Sequence, residues 1–434
     1  MAKPHSHPTL VTQHILANGL TVVICPRPHL AQTYVSLFFG VGSRHEHPRN
    51  NGISHILEHM LFRGTRSYGD ATLLNAAAED IGGVLEGATY RDHMAFATSC
   101  HPSSVGIAIS LLGELVQSPR YRGVEIERSI LREELLETLD GDGRMIDLDN
   151  IAHRDIFRNH GLGLPIEGTL DNLEHIDLDE LESHRQQYLV GHNGVVSIAG
   201  PVDPTRVLAQ VKRAFGQLPA GSVPKTQPPG APAAQPILKF IRDRSSQVDI
   251  RLSFRAVSMQ HENYTALVTL GRLLADGLAS RMHADLVDRR GLAYALHGGL
   301  STYQDCGLFE FDVSVAPARA AEAVRALLDF VRASRRFRFT NTEFTRMRRR
   351  YRYAIEFMED SAADLACWHG RAALFHAGMQ MDALARKMNH VSHVDVRRAA
   401  KDVFKRQGLV LTAIGELARG EWRRVKQVVD DWEG

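Results

Sequence analysis

LPAGSVPKTQPPGAPAAQP, residues 218–236, decides how the rest of the chain is read. Its prolines, glycines and small residues cannot bury a core, so the stretch reads as an extended linker. It divides the 434-residue chain almost in half, into residues 1–217 and 237–434. Two domains also suit the length, since a domain usually holds ~100 to 200 residues.

Working outward from the linker, both halves carry the same order of patterns. The first opens on HILANGLTVVICPRP (14–28) and TYVSLFFGVGS (33–43), the second on PILKFIRD (236–243) and VDIRLSFRA (248–256). All four are rich in β-branched and aromatic residues and predict strands. After a helix-like segment the first half continues with EGATYRDHMAFATS, VGIAISLLGELV and EIERSILREELLET. The second continues with GLAYALHGGLSTYQDCGLFEFDVSV, AAEAVRALLDFVRAS and TEFTRMRRRYRYAIEF. The halves read as diverged copies of one α+β unit, each expected to be an antiparallel sheet covered on one face by helices.

Composition narrows the function classes. Hydrophobic residues at 44% and charged residues at 23% are ordinary for a packed, water-soluble protein. A formal net charge of +1 provides no field to draw the chain to nucleic acid or anionic lipid, so neither is expected as a partner. The longest stretch free of Asp, Glu, Lys and Arg, His93–Gly113, is broken by Pro102 and is not a membrane span. Cys25, Cys100, Cys306 and Cys367 are scattered without a CxxC pair, which fits reduced thiols. The opening MAKPHSHPTLVTQHILANG shows no secretory or transit pattern, so a cytoplasmic setting is expected.

The chemistry concentrates in NNGISHILEHMLF, residues 50–62. Helix-start residues precede an apolar run, and in a helix His55 and His59 lie on one face, where both can turn to a single metal ion. Glu58 sits beside them and can take a proton from water. The order is HxxEH, the inverse of the commoner HExxH. A catalytic zinc needs a third protein ligand. The helix expected over 124–139 offers Glu127 and Glu134, two turns apart on a shared face. Glu134 lies at the edge of the apolar stripe, whereas Glu133 points away, so Glu134 is the candidate ligand and Glu127 a group orienting a liganding His.

GISHILEHMLFRGT, IGGVLEGATYRDH and ERSILREE together resemble the pitrilysin and mitochondrial processing peptidase family of zinc peptidases, and DRRGLAY followed by YQDCGLF is similar to its second-domain signature. In that family HxxEH is completed by a Glu about 75 residues downstream, and Glu134 lies 75 residues after His59. The resemblance implies one zinc per chain on His55, His59 and Glu134, with Glu58 as general base and a peptide as substrate. It also implies half of a clamshell that relatives build from four such units. Substrate would add along the edge strand carrying Glu86, Gly87, Ala88 and Thr89. Two departures stand out: Glu86-Gly87 replaces a frequent Asn-Ala, and Val287 lies seven residues before Tyr294, where many relatives have a substrate-binding Arg. With half of the Arg and Tyr pair missing, a heterodimer with a zinc-free homologue is favoured over a homodimer. The rival class is a non-enzymatic assembly or chaperone-like subunit, although such members usually lose the ligands kept here.

Blander readings stand beside these. Glu127 also suits a first-turn acid, and Tyr294 suits a core aromatic as well as a substrate contact. The run Arg346–Tyr353 reads as a charged helix face and Asp140-Gly141-Asp142-Gly143 as a turn. His5, His7, His45, His47 and His93 have no spacing to rival the first pair.

Overall fold

The computed structural model of the chain describes residues 11–376 and 381–433. His5 and His7 lie outside the described residues. Eleven strands among the described residues form two sheets. The first contains β1 (Thr12–Ile15), β2 (Thr21–Pro26), β3 (Thr33–Phe39), β4 (Leu85–Thr89), β5 (Met94–Cys100) and β6 (Gly194–Gly200), in the order β1-β2-β6-β3-β5-β4. The second contains β7 (Ile237–Arg242), β8 (Val248–Ala256), β9 (Ala295–Thr302), β10 (Gly307–Val315) and β11 (Val410–Gly415), in the order β7-β11-β8-β10-β9. Dropping β1 makes the two orders identical, and the helices Val105–Gln117 and Ala320–Ser334 follow β5 and β10 in the same way. The α+β architecture of two related units stands, and residues 218–236 carry neither helix nor strand.

Two expectations about the sheets need correction. The sheets are not wholly antiparallel, because β2 pairs β6 and β7 pairs β11 in parallel. β6 and β11 return after long helical excursions, and only a crossover of that length can bring a strand back in the same direction. Nor are the helices confined to one face. Val35, Leu37 and Phe39 of β3 enter a core with Ile53 and Leu57 of the helix Ile53–Leu61 and with Leu111 and Leu115 of Val105–Gln117. Phe38 points the other way and packs with Val23 and Val195 against Cys367, Ala373 and Leu374 of the helix Ala362–Leu374. A strand covered on both faces has no polar side, which is why TYVSLFF reads as an almost unbroken apolar run.

The compact units therefore differ from the sequential halves. The described residues of Met1–Leu135, Leu164–Thr226 and Ala354–Gln380 form one, and those of Leu136–Gly163, Gln227–Tyr353 and Met381–Gly434 the other. Helix Ala362–Leu374, from the second half of the chain, covers the first sheet. Helix Leu148–Phe157, from the first half, packs on β8 and β11 of the second. There Ile156 and Phe157 meet Leu308 and Val410. In the second unit the Arg346–Tyr353 run lies on the helix Asn341–Met358, with Met347 and Tyr351 buried and Arg348 donating to the Val391 carbonyl. It is a charged helix face. Asp140 closes its turn by accepting from the Asp142 and Arg144 amides. No helix among the described residues is long and apolar enough to cross a membrane.

Candidate metal centre

The site is built in the first unit by a helix, a facing helix and a sheet edge. Helix Ile53–Leu61 starts where Gly52 turns the chain at φ 99°, a conformation costly for any residue with a Cβ. Gly52 is also crowded, since a Cβ there would come within 2.9 Å of the Gly168 Cα. Having no side chain, Gly52 cannot cap the helix, and Glu46 does so from six residues upstream. Its Oε2 accepts from the Gly52 amide at 2.7 Å and its Oε1 from the Ser54 amide at 2.9 Å.

From that start His55 and His59 project from consecutive turns with ring centroids 4.7 Å apart. Glu134, on the helix Val124–Glu137, faces both. Its Oε1 lies 3.5 Å from His55 Nε2 and its Oε2 3.7 Å from His59 Nε2. One donor atom from each residue falls within 4.8 Å of the others, and no other group of this kind exists among the described residues. Three ligands of a tetrahedral zinc, each ~2.1 Å from the ion, would be ~3.4 Å apart, and the two distances from Glu134 to the histidines lie close to that. Glu127, buried two turns earlier on the same helix as Glu134, accepts from His59 Nδ1 at 2.8 Å, which leaves Nε2 turned to the shared centre. Arg63 Nη1 holds the other Glu127 oxygen at 3.3 Å.

Electrostatics prepares these side chains unequally. Burial pulls His55 down to about 3, helped by the neighbouring His59, so the ring is neutral and its lone pairs are available. Burial also pulls on His59, but the Glu127 bond and the carboxylates around it outweigh that and raise it. Glu58 is pushed up by burial, against the pull of Thr89 and His59. A carboxyl raised from its ordinary range suits proton transfer in both directions.

The sheet edge supplies the remaining parts. Thr89 donates its hydroxyl to Glu58 Oε2 at 2.6 Å. A Cβ at Gly87 would stand 2.7 Å from Glu58 Oε1 and 2.5 Å from the Phe62 ring, so only glycine leaves Glu58 its room. β4 is the outermost strand, and the Tyr90 amide bond to the His93 carbonyl fixes its phase. By alternation Glu86 and Ala88 direct their backbone groups to β5, whereas Leu85, Gly87 and Thr89 direct theirs outward. Of the four edge residues expected to meet substrate, two thus offer backbone and two do not. The Glu86 carboxylate instead accepts from the Tyr34 hydroxyl at 2.7 Å. Tyr294, in the second unit, is 90% exposed, which sets aside its reading as a core aromatic. His93 is buried against Tyr90 and Asp92 and plays no part in the trio.

Sequence reading missed Glu46, Arg63 and the Thr89 hydroxyl. Arg63 was within reach, being four residues past His59; Thr89 and Glu58 meet only through the fold.

Residues 21–170 match the family described as insulinase (peptidase family M16), and residues 175–351 match the peptidase M16 inactive domain. The chain belongs to the M16 peptidase family. The M16 relatives include an uncharacterized zinc protease of Streptomyces coelicolor, 26% identical over 96% of this chain and 92% of that one. A probable mitochondrial-processing peptidase subunit beta of Arabidopsis thaliana is 24% identical over 93% of this chain and 78% of its own length. Among solved structures, a protease from Helicobacter pylori superposes with a TM-score of 0.88 at 20% identity, covering 94% of this chain and 99% of that one. A chain of Complex III2 from Candida albicans superposes with a TM-score of 0.78 at 16% identity, covering 96% and 99%. The match of the second range to an inactive domain agrees with the single trio. The helix after β8, Tyr264–Ala275, stands where Ile53–Leu61 stands after β3, and it carries neither His nor Glu.

Proposed function

We propose that the chain is a zinc-dependent endopeptidase acting on peptides or small unfolded polypeptides. The observation that carries this reading is the convergence of His55, His59 and Glu134 within 4.8 Å, with Glu58 on the same helix and hydrogen-bonded to the sheet edge. Zinc held there would act as a Lewis acid on a carbonyl and lower the pKa of water. Glu58 takes the proton of the attacking water and passes it to the leaving amine, with Thr89 fixing the carboxylate oxygen it does not use. The substrate adds as a strand beyond β4, bonded by the outward amides and carbonyls of Gly87 and Thr89. Main-chain bonding of that kind asks little of the substrate's sequence.

A homologous, zinc-free subunit completes the site in this reading. One relative is named a subunit, and Val287 leaves this chain without the arginine that would pair with Tyr294. Donors for the developing oxyanion must then come from elsewhere. Four free cysteines suit a reducing, cytoplasmic setting. Metal analysis tests the ligand set. The purified chain is expected to hold one zinc, lost in Glu134→Gln and retained in Glu133→Gln, and the reverse pattern would put the wrong face of the helix at the metal.

A further inference from the structure

Glu46 is a buried carboxylate, 4% exposed, that no part of the proposed reaction uses. We infer that Glu46 is the positioning residue for His55, setting through the start of helix Ile53–Leu61 where that ring stands in the metal centre. The inference rests on the metal reading above.

The two histidines are held differently. His59 is aimed by its side chain, through the 2.8 Å bond from Nδ1 to Glu127. His55 Nδ1 is buried and makes no hydrogen bond, so no side-chain partner on that nitrogen fixes the ring. Its place depends on the backbone that carries it, and the backbone one residue earlier is clamped. The Ser54 amide donates to Glu46 Oε1 at 2.9 Å, and the Ser54 hydroxyl bonds His184 Nε2 at 3.0 Å. Glu46 Oε2 takes two more donors, the Gly52 amide at 2.7 Å and Asn51 Nδ2 at 2.9 Å. Asn51 Nδ2 also reaches the Pro165 carbonyl, and Asn172 Nδ2 donates to the Asn51 carbonyl, so the anchored stretch is tied to a second wall. The first amides of any helix lack intrahelical acceptors, and Gly52 has no side chain to offer one. Glu46 satisfies two of them with one rigid group. A residue that holds a liganding His is known by what its loss does to metal affinity.

The test uses the full chain and reads metal rather than activity. Glu46→Gln keeps the shape but turns an amide donor on one of the backbone donors. Zinc affinity, measured by competition with a chromophoric chelator, is expected to weaken about 10- to 100-fold. The visible bands of the cobalt-substituted protein are expected to shift, because one ligand has moved. A Glu46→Gln variant that melts at lower temperature yet keeps wild-type zinc affinity and cobalt bands would overturn the inference, leaving Glu46 a structural residue only. If Glu46→Gln does not fold, Glu46→Asp decides. Its shorter side chain keeps the charge but cannot hold the Gly52 and Ser54 amides together, and unchanged affinity and bands there would equally overturn the inference. A wild-type chain that binds zinc tightly but cleaves no peptide, alone or with its homologous subunit, would sink the peptidase reading and leave this one standing, whereas a wild type without zinc affinity would end both.

Discussion

Glu58 owes its usefulness to a residue without a side chain. Gly87 sits on the edge strand directly over the carboxylate, and the 2.7 Å a Cβ would leave to Glu58 Oε1 is too short for either atom to stay. Gly87→Ala is expected to keep its zinc, since no ligand touches that position, while turnover of a peptide falls about 100-fold, the cost of moving a reacting group by ~1 Å. Unchanged turnover at full zinc occupancy would show that Glu58 is not the group that matters. Much of the site at this scale was legible in the sequence, because helical periodicity is local. Positions 55 and 59 share a face, as do 127 and 134, whatever surrounds them. Thr89 was legible on the substrate edge but not as a partner of Glu58, and Glu46 was not legible at all. Thr89 meets Glu58 only once β4 is docked, and Glu46 is indistinguishable from any loop acid until the helix start it caps is folded.

At the level of elements, the repeated succession of strands up to β5 and up to β10 was readable from pattern, but the returning strands β6 and β11 and the partners of Leu148–Phe157 and Ala362–Leu374 were not. An amphipathic helix shows that it covers a sheet without showing which one. The chain exchanges the two. Leu148–Phe157 is pinned to its sheet by Arg251, which bonds Asp149 at 2.6 Å and Asp312 at 2.7 Å, with Glu310 at 3.6 Å. Burial lifts Glu310 to about 7, with Arg251 and the Ser253 hydroxyl pulling down and Asp149 and Asp312 pushing up. A carboxyl raised on folding stabilises fully below its ordinary range, and that contribution is lost as pH climbs through 7. Glu310→Gln should therefore gain on wild type between pH 5 and pH 8 by on the order of 3 kcal/mol, Arg251 keeping its other two carboxylates. Urea midpoints for both proteins across that range check it, and a difference that does not change with pH would mean Glu310 stays ionised throughout.

The whole molecule raises the question of what covers the face that carries His55, His59 and Glu134. Glu134 is 44% exposed at its side chain, so the centre is open to water. Electrostatic stabilisation of an oxyanion weakens in water, and a covering subunit would both exclude it and bring donors. Co-expression with a homologous zinc-free subunit is expected to yield a heterodimer by mass and a higher cleavage rate, while a fully active homodimer with no gain from such a subunit would refute the pairing. Sequence reading reached this point only through Val287 and Tyr294, since a chain does not encode its partner's residues. The most direct measurement is the initial rate of cleavage of an unstructured peptide by zinc-loaded wild type and by Glu58→Gln at equal zinc content. The predicted result is equal metal in both and a rate at least about 100-fold lower in the variant; equal rates would contradict the assignment of Glu58 as the base beside a metal on His55, His59 and Glu134.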